Sequence, residues 1–230
     1  MGNTIATVVL AHGAWADESS WSKVVTLLQS KGIKAVTFRL PLSSLADDVA
    51  ALDKALALLD GPVVLVGHAY AGAVIAATHS VKVRALVYIA ALAPDEGETV
   101  ADVFNRYGHD DKSPKIAPGD DGLIWLAPET FGIAFAQHAS PAEQKALAAK
   151  QLPISPAAIT VQVERPLWRD VPAWYLVAQH DHMIPEKTQR FMAERMNARI
   201  STYPVDHIPS ITAPELVESL IVDAVRYVDG

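Results

Sequence analysis

The feature that most constrains this chain is a repeated pairing: a short, unbroken apolar run, then a stretch with helical spacing. Strand-like runs occur at 7–12 (TVVLAH), 34–40 (KAVTFRL), 61–67 (GPVVLVG) and 83–92 (VRALVYIAAL). They resume at 172–179 (PAWYLVAQ) and 198–205 (ARISTYPV). A sheet with one wet face alternates apolar and polar residues along each strand, and most of these runs do not. Both faces must be covered, as in a parallel sheet with helices on either side.

The intervening stretches supply the cover. Trp21, Val24, Val25 and Leu28 share one helical face that stops at Gly32. Leu45, Val49, Leu52, Leu56 and Leu59 form a continuous helical stripe. Helices are also predicted at 186–196 and near 214–228, the last burying Leu216, Leu220, Ile221, Val225 and Val228. Between about 94 and 170 the pattern lapses into a segment richer in Pro, Gly, Asp and isolated aromatics, with a short helical piece at 140–152. The expectation is a single α/β domain over 1–230: a mostly parallel, doubly wound sheet of about six strands with a helical lid inserted at about 97–167.

Composition narrows the function. A net charge of −7 with no basic run argues against a nucleic-acid partner. The chain has no cysteine, which excludes thiolate metal sites and a thiol nucleophile. No apolar run approaches the roughly 20 residues of a membrane span, and no basic leader precedes the first apolar run. A soluble, cytoplasmic protein is expected, with no membrane partner.

The chemistry concentrates in four places. VLVGHAYAGAVI (64–75) is a strand that turns sharply into a helix, with Gly67, Ala71 and Gly72 as the small residues of the turn and Ala69 at its bend. In a Gly-X-Ser-X-Gly elbow that bend holds a serine nucleophile in strained backbone. The second is the His12-Gly13 pair ending the first strand, where a glycine lets backbone approach a ligand. The amide of Ala14, with that of Tyr70 at the start of the elbow helix, could receive an oxyanion. His12 and His68 read as structural histidines bonded to loop backbone. Third, Asp181 follows the strand at 172–179, at the sheet edge where active sites collect. Asp95 is a second candidate acid. A metal site from His180, Asp181 and His182 is not favoured, because adjacent side chains diverge. Fourth, His207 lies on the loop before the last helix, and the order 69, 181, 207 is that of nucleophile, acid and histidine.

Together LAHGAW, GHAYAG, LVAQHDHMIPEKTQRFMAERM and DHIPSITAPE resemble the α/β-hydrolase superfamily over nearly the whole chain. They are most similar to the small esterases grouped with plant methyl-salicylate and methyl-jasmonate esterases and hydroxynitrile lyases. The resemblance implies a triad on positions 69, 181 and 207, oxyanion donors at Ala14 and Tyr70, and no metal or organic cofactor. It departs at one position, since the family has serine where Ala69 stands. Cyanohydrin cleavage is disfavoured: Ile208, not lysine, follows His207, and Gly13 is retained.

The expected function is therefore serine-type hydrolysis of a carboxylic ester or lactone of hydrophobic, small to medium size. The chain as written is expected to be nearly inactive, because Ala69 is read as replacing the nucleophile. The alternative is a natural non-hydrolytic relative, decarboxylase-like or a ligand receptor. Trp15, Trp125 and Phe135 are the expected pocket walls. No cationic cluster is apparent in the inserted segment, so strongly anionic substrates are not expected.

Overall fold

The computed structural model describes residues 6–230; the reading of the extreme start as leaderless concerns residues partly outside that range. Six strands form one parallel sheet: β1 (Thr7–Ala11), β2 (Ala35–Phe38), β3 (Val63–His68), β4 (Val83–Ile89), β5 (Ala173–Ala178) and β6 (Arg199–Tyr203). Their order across the sheet is β2-β1-β3-β4-β5-β6. The chain thus winds one way from β1 to β2, returns to β3, and winds the other way to β6. That reversal opens a crevice between the carboxyl ends of β1 and β3, which pair in register from Thr7 with Val63 to Ala11 with Gly67.

Alternate residues of each inner strand feed two separate cores. Val9, Leu65, Leu86, Tyr88 and Tyr175 point to one face; Val8, Leu10, Val64, Val66, Val87 and Leu176 point to the other. The first face is covered by α2 (Leu45–Ala57), α3 (Ala71–Ala76), α6 (Glu186–Arg195) and the segment between β4 and β5. The second is covered by α1 (Ser22–Ser30) and α8 (Pro214–Asp229). Leu45, Val49, Leu52 and Leu56 are buried as the stripe predicts, with α2 capped by the Ser44 hydroxyl on the Asp47 amide. In α8, Leu220, Ile221 and Val225 are buried, whereas Leu216 and Val228 are only half-buried. Their place is shared by Val217, Val222 and Ala224, because α8 packs against both the sheet and α1.

The segment between β4 and β5 carries two short α-helices, α4 (Val100–Asn105) and α5 (Pro141–Lys150), a π-helical turn at Phe131–Phe135 and two 3-10 turns. Both α-helices begin with a reciprocal capping box, Thr99 with Asp102 and Ser140 with Glu143. Isolated antiparallel bridges, Thr99 to Gln162 and Ile124 to Ile154, tie the segment to itself. A short helix, α7 (Pro209–Thr212), precedes α8 and was not predicted. Among the described residues no helix is long and apolar enough to cross a membrane.

Two histidines clamp the carboxyl edge of the sheet. His12 donates from Nδ1 to the Gly13 carbonyl (2.8 Å) and accepts at Nε2 from the Leu40 amide (3.1 Å), joining the ends of β1 and β2. His68 donates from Nε2 to the His207 carbonyl (2.7 Å), fixing the β6–α7 loop onto the end of β3. Burial lowers the pKa of both, that of His68 well below the ordinary value of 6.5.

Two outcomes follow. A Cβ on Gly72 would collide with the Leu92 carbonyl oxygen and lie 2.9 Å from the Ala91 Cβ. Gly72→Ala should therefore destabilise the protein by about 1–3 kcal/mol in urea unfolding, despite the ~1 kcal/mol that alanine gains in a free helix. Because the folded-state pKa of His12 and His68 is depressed, the stability they contribute is complete above the unfolded value of about 6.5 and is lost as pH falls toward the folded value. The unfolding free energy should fall between pH 7 and pH 5, and less steeply in His68→Gln.

Candidate active site

Ala69 lies between the end of β3 and Tyr70, the N-cap of α3, and its φ is +49°. That left-handed backbone costs an L-residue about 1–2 kcal/mol. It is held by its surroundings: the Ala69 carbonyl accepts from the amides of Gly72 (3.1 Å) and Leu92 (2.9 Å). Gly13 packs on the bend so closely that a Cβ there would stand 2.8 Å from the Ala69 methyl and 2.9 Å from the His68 carbonyl oxygen. Trp15 (φ +59°), Leu42 (+60°) and Ala90 (+44°) share the left-handed conformation just beyond β1, β2 and β4. Strain is thus collected along one edge of the sheet.

Asp181 follows β5, and its side chain is fully buried. Oδ1 accepts from the amides of Met183 (2.7 Å) and Ile184 (2.8 Å). Oδ2 accepts from Gln189 Nε2 (2.9 Å) and His207 Nδ1 (2.8 Å). With Nδ1 engaged, the neutral imidazole of His207 has Nε2 as its proton acceptor. The ring is wedged between that of His68, 4.7 Å away, and that of Phe135, 5.1 Å away. His207 and Ala69 both line a cavity of about 620 Å³.

Ala14 and Tyr70 line the same cavity. Among the described residues neither amide has a hydrogen-bond acceptor. The Tyr70 hydroxyl points the other way, donating to Asp48 Oδ2 (2.6 Å), whose Oδ1 accepts from the Leu42 amide (2.6 Å). Burial raises the pKa of both Asp48 and Tyr70. A strained bend, an imidazole oriented by a carboxylate and two unpaired amides can together handle a carbonyl: one group moves a proton and two hold negative charge.

Two of the three expected cavity walls need correcting. Trp125 is 46% exposed, its indole bonded to Asp121 (2.8 Å), and it does not line the cavity. Its neighbour Ile124, buried, lines the wall instead. Phe135 is wholly buried behind the imidazoles of His68 and His207, where it is packing and not a wall. Trp15 does line the cavity, and its indole donates to the Ile124 carbonyl (2.9 Å). Asp95 is drawn away to Arg169 (2.6 Å). His182 pairs with Asp110 (2.6 Å) and His180 faces His138, so neither joins Asp181. Among the described residues no group of three or more His, Asp or Glu is arranged to hold a metal ion.

Gln189, on the buried face of α6, escaped the sequence reading. Besides Asp181 it bonds the Ala178 amide and the Ile184 carbonyl, so it locks the acid loop to β5. The only sequence signal was a polar residue on a helix face otherwise buried by Met192 and Ala193.

Residues 8–220 match the model of the Alpha/beta hydrolase family. Methylesterase 8 of Arabidopsis thaliana is 24% identical over an alignment 243 residues long, spanning 91% of this chain and 85% of that protein. The crystal structure of polyneuridine aldehyde esterase superposes with a TM-score of 0.82 at 20% identity, over 96% of this chain and 99% of that one. A pyrethroid hydrolase from Sphingobium faniae gives 0.82 at 22% identity, over 97% and 98%. The fold is theirs, and the family match spans almost the whole sheet and the edge on which these groups converge: this chain belongs to the alpha/beta hydrolase family.

Proposed function

We propose that the cavity is a carboxylic ester hydrolase centre in which alanine has replaced the serine nucleophile at position 69. The observation that carries this reading is the bend itself. Alanine gains nothing from a φ of +49°, yet the strain is kept in place beside an intact Asp181–His207 pair and two unpaired amides. The names of the relatives, esterases and a pyrethroid hydrolase, agree with it.

With Ala69→Ser the chemistry runs in two steps. The hydroxyl oxygen attacks the carbonyl carbon while His207 Nε2 takes its proton, and Asp181 holds the other ring nitrogen and stabilises the imidazolium. The amides of Ala14 and Tyr70 receive the oxyanion. The same proton passes to the leaving alcohol. Water, deprotonated by His207, then releases the acid and frees the serine. Leu92, Val100, Ile124, Ile154 and Met183 make the walls apolar, which suits esters or lactones with hydrophobic bulk. The segment over 97–167 serves as the lid, since Val100, Phe104 and Ile124 form the outer side of the cavity.

Ala69→Ser should raise turnover of aryl esters by roughly 10⁶-fold over the chain with alanine, measured by release of the phenol. No gain would remove the hydrolase reading. Carbon dioxide release from a β-keto acid by the alanine form would instead support a decarboxylase, and micromolar binding without turnover by either form a receptor.

Gln189 is a positioning residue in this scheme. In the Ala69→Ser background, Gln189→Met should lower kcat about tenfold, the equivalent of about 1.4 kcal/mol, with KM within about twofold. Asp181 would lose one of its donors while the substrate contacts stay. A change in KM alone would contradict that role.

A further inference from the structure

The cavity walls differ sharply from the rest of the protein in charge. The chain carries 26 acidic residues against 19 lysines and arginines, yet no aspartate or glutamate lines the cavity. Its titratable lining groups are His207 and Tyr70 at the base, with His109 and Lys115 on the inserted segment. Lys115 is exposed, and among the described residues its ammonium has no ion-pair or hydrogen-bond partner. The arginines near the same segment are ion-paired, Arg106 and Arg195 with Glu98, Arg165 with Asp170, and Arg169 with Asp95 and Glu96, and the segment's other lysines, Lys112, Lys145 and Lys150, do not line the cavity.

The loop that presents Lys115 is anchored. Asp110 Oδ1 accepts from the amides of Lys112 (2.9 Å) and Ser113 (3.0 Å), and Oδ2 bonds His182 (2.6 Å). The Ser113 hydroxyl donates to the His182 carbonyl (2.5 Å). The loop is therefore tied to the residue next to Asp181. His109 rests its ring on Phe104, 4.4 Å between centroids, at the same rim.

We propose that this rim is a carboxylate subsite: Lys115, with His109 and Asn105 beside it, receives a carboxylate at the far end of a ligand whose apolar body fills the cavity and whose ester carbonyl lies at the bend. The substrate class is then an ester of an apolar acid or alcohol ending in one carboxylate, such as a half-ester of a dicarboxylic acid. A single ammonium with no arginine fork beside it matches one negative charge. The apolar walls would leave a dianionic phosphate largely unpaired. Burial lowers the pKa of His109, which favours its neutral, hydrogen-bonding form among the groups lining the cavity. This inference rests on the hydrolase reading for the placement of the carbonyl, but its test does not require turnover.

The alanine form does not consume an ester, so binding can be measured directly. Monobenzyl adipate and the benzyl ester of adipamic acid differ only in carboxylate against carboxamide. By titration calorimetry the carboxylate should bind about fivefold more tightly at low salt, the upper end for an exposed charge pair. The preference should shrink toward unity at about 0.5 M sodium chloride and in Lys115→Gln, a change on an exposed side chain. Equal binding of the two probes would overturn the subsite. So would a preference that survives in Lys115→Gln, because the carboxylate would then be held at the Ala14 and Tyr70 amides. Hydrolysis of a neutral aryl ester by Ala69→Ser tests the hydrolase reading separately. A carboxylate preference without hydrolysis would keep the subsite and discard the ester chemistry.

Discussion

A carboxylate taken out of water must be repaid in hydrogen bonds, and Asp181 organises this end of the molecule around that requirement. Its two oxygens accept from two amides of its own loop, from Gln189 on α6 and from His207 on the loop after β6. Three separate stretches of chain are thereby fixed to one point. Removing any one donor leaves a buried charge short of partners, so the loop geometry, the seat of α6 and the orientation of the imidazole stand or fall together. His207 is also gripped from outside the pair, through its carbonyl by His68 and through its ring by Phe135. The imidazole has little freedom to be anywhere other than over the cavity.

The second organising element is backbone strain on the same edge. Four non-glycine residues just beyond β1, β2, β3 and β4 adopt left-handed backbone. At Ala69 the conformation turns the side chain toward the cavity and leaves the Tyr70 amide unpaired next to it. Gly13 makes this possible from the neighbouring strand, since any side chain there would collide with the bend. The Tyr70 hydroxyl, bonded to Asp48, pins the start of α3 from below. Polar satisfaction and strain thus meet around one cavity, and the rest of the sheet is apolar packing that holds them in register.

The inserted segment shows where sequence reasoning weakens. Its aromatics were the natural candidates for cavity walls, but aromatic residues bury equally well against a sheet. Phe135 did so behind His207, and Trp125 found a carboxylate at the surface. The walls fell largely to aliphatic residues such as Val100, Ile124 and Ile154, which carry no sequence signature of their own. Gln189 was hidden for a related reason: a buried amide bonding to loop backbone has no motif, only a position.

What the sequence determined alone was the sheet, its strands and its chain order, because continuous apolar runs alternating with helical stripes admit few other ways to cover two faces. The Gly67–Gly72 turn and Gly13 were legible too, since close backbone approach there admits only glycine, and Asp181 and His207 stood out as candidates by their places after the fifth and sixth strands. Tertiary structure alone decided which groups meet. Whether Asp181 or Asp95 faces His207, and whether Lys115 lines the cavity or joins an ion pair, depends on contacts between segments tens of residues apart. Local propensity carries no record of such contacts; they follow from how the inserted segment packs across the sheet edge.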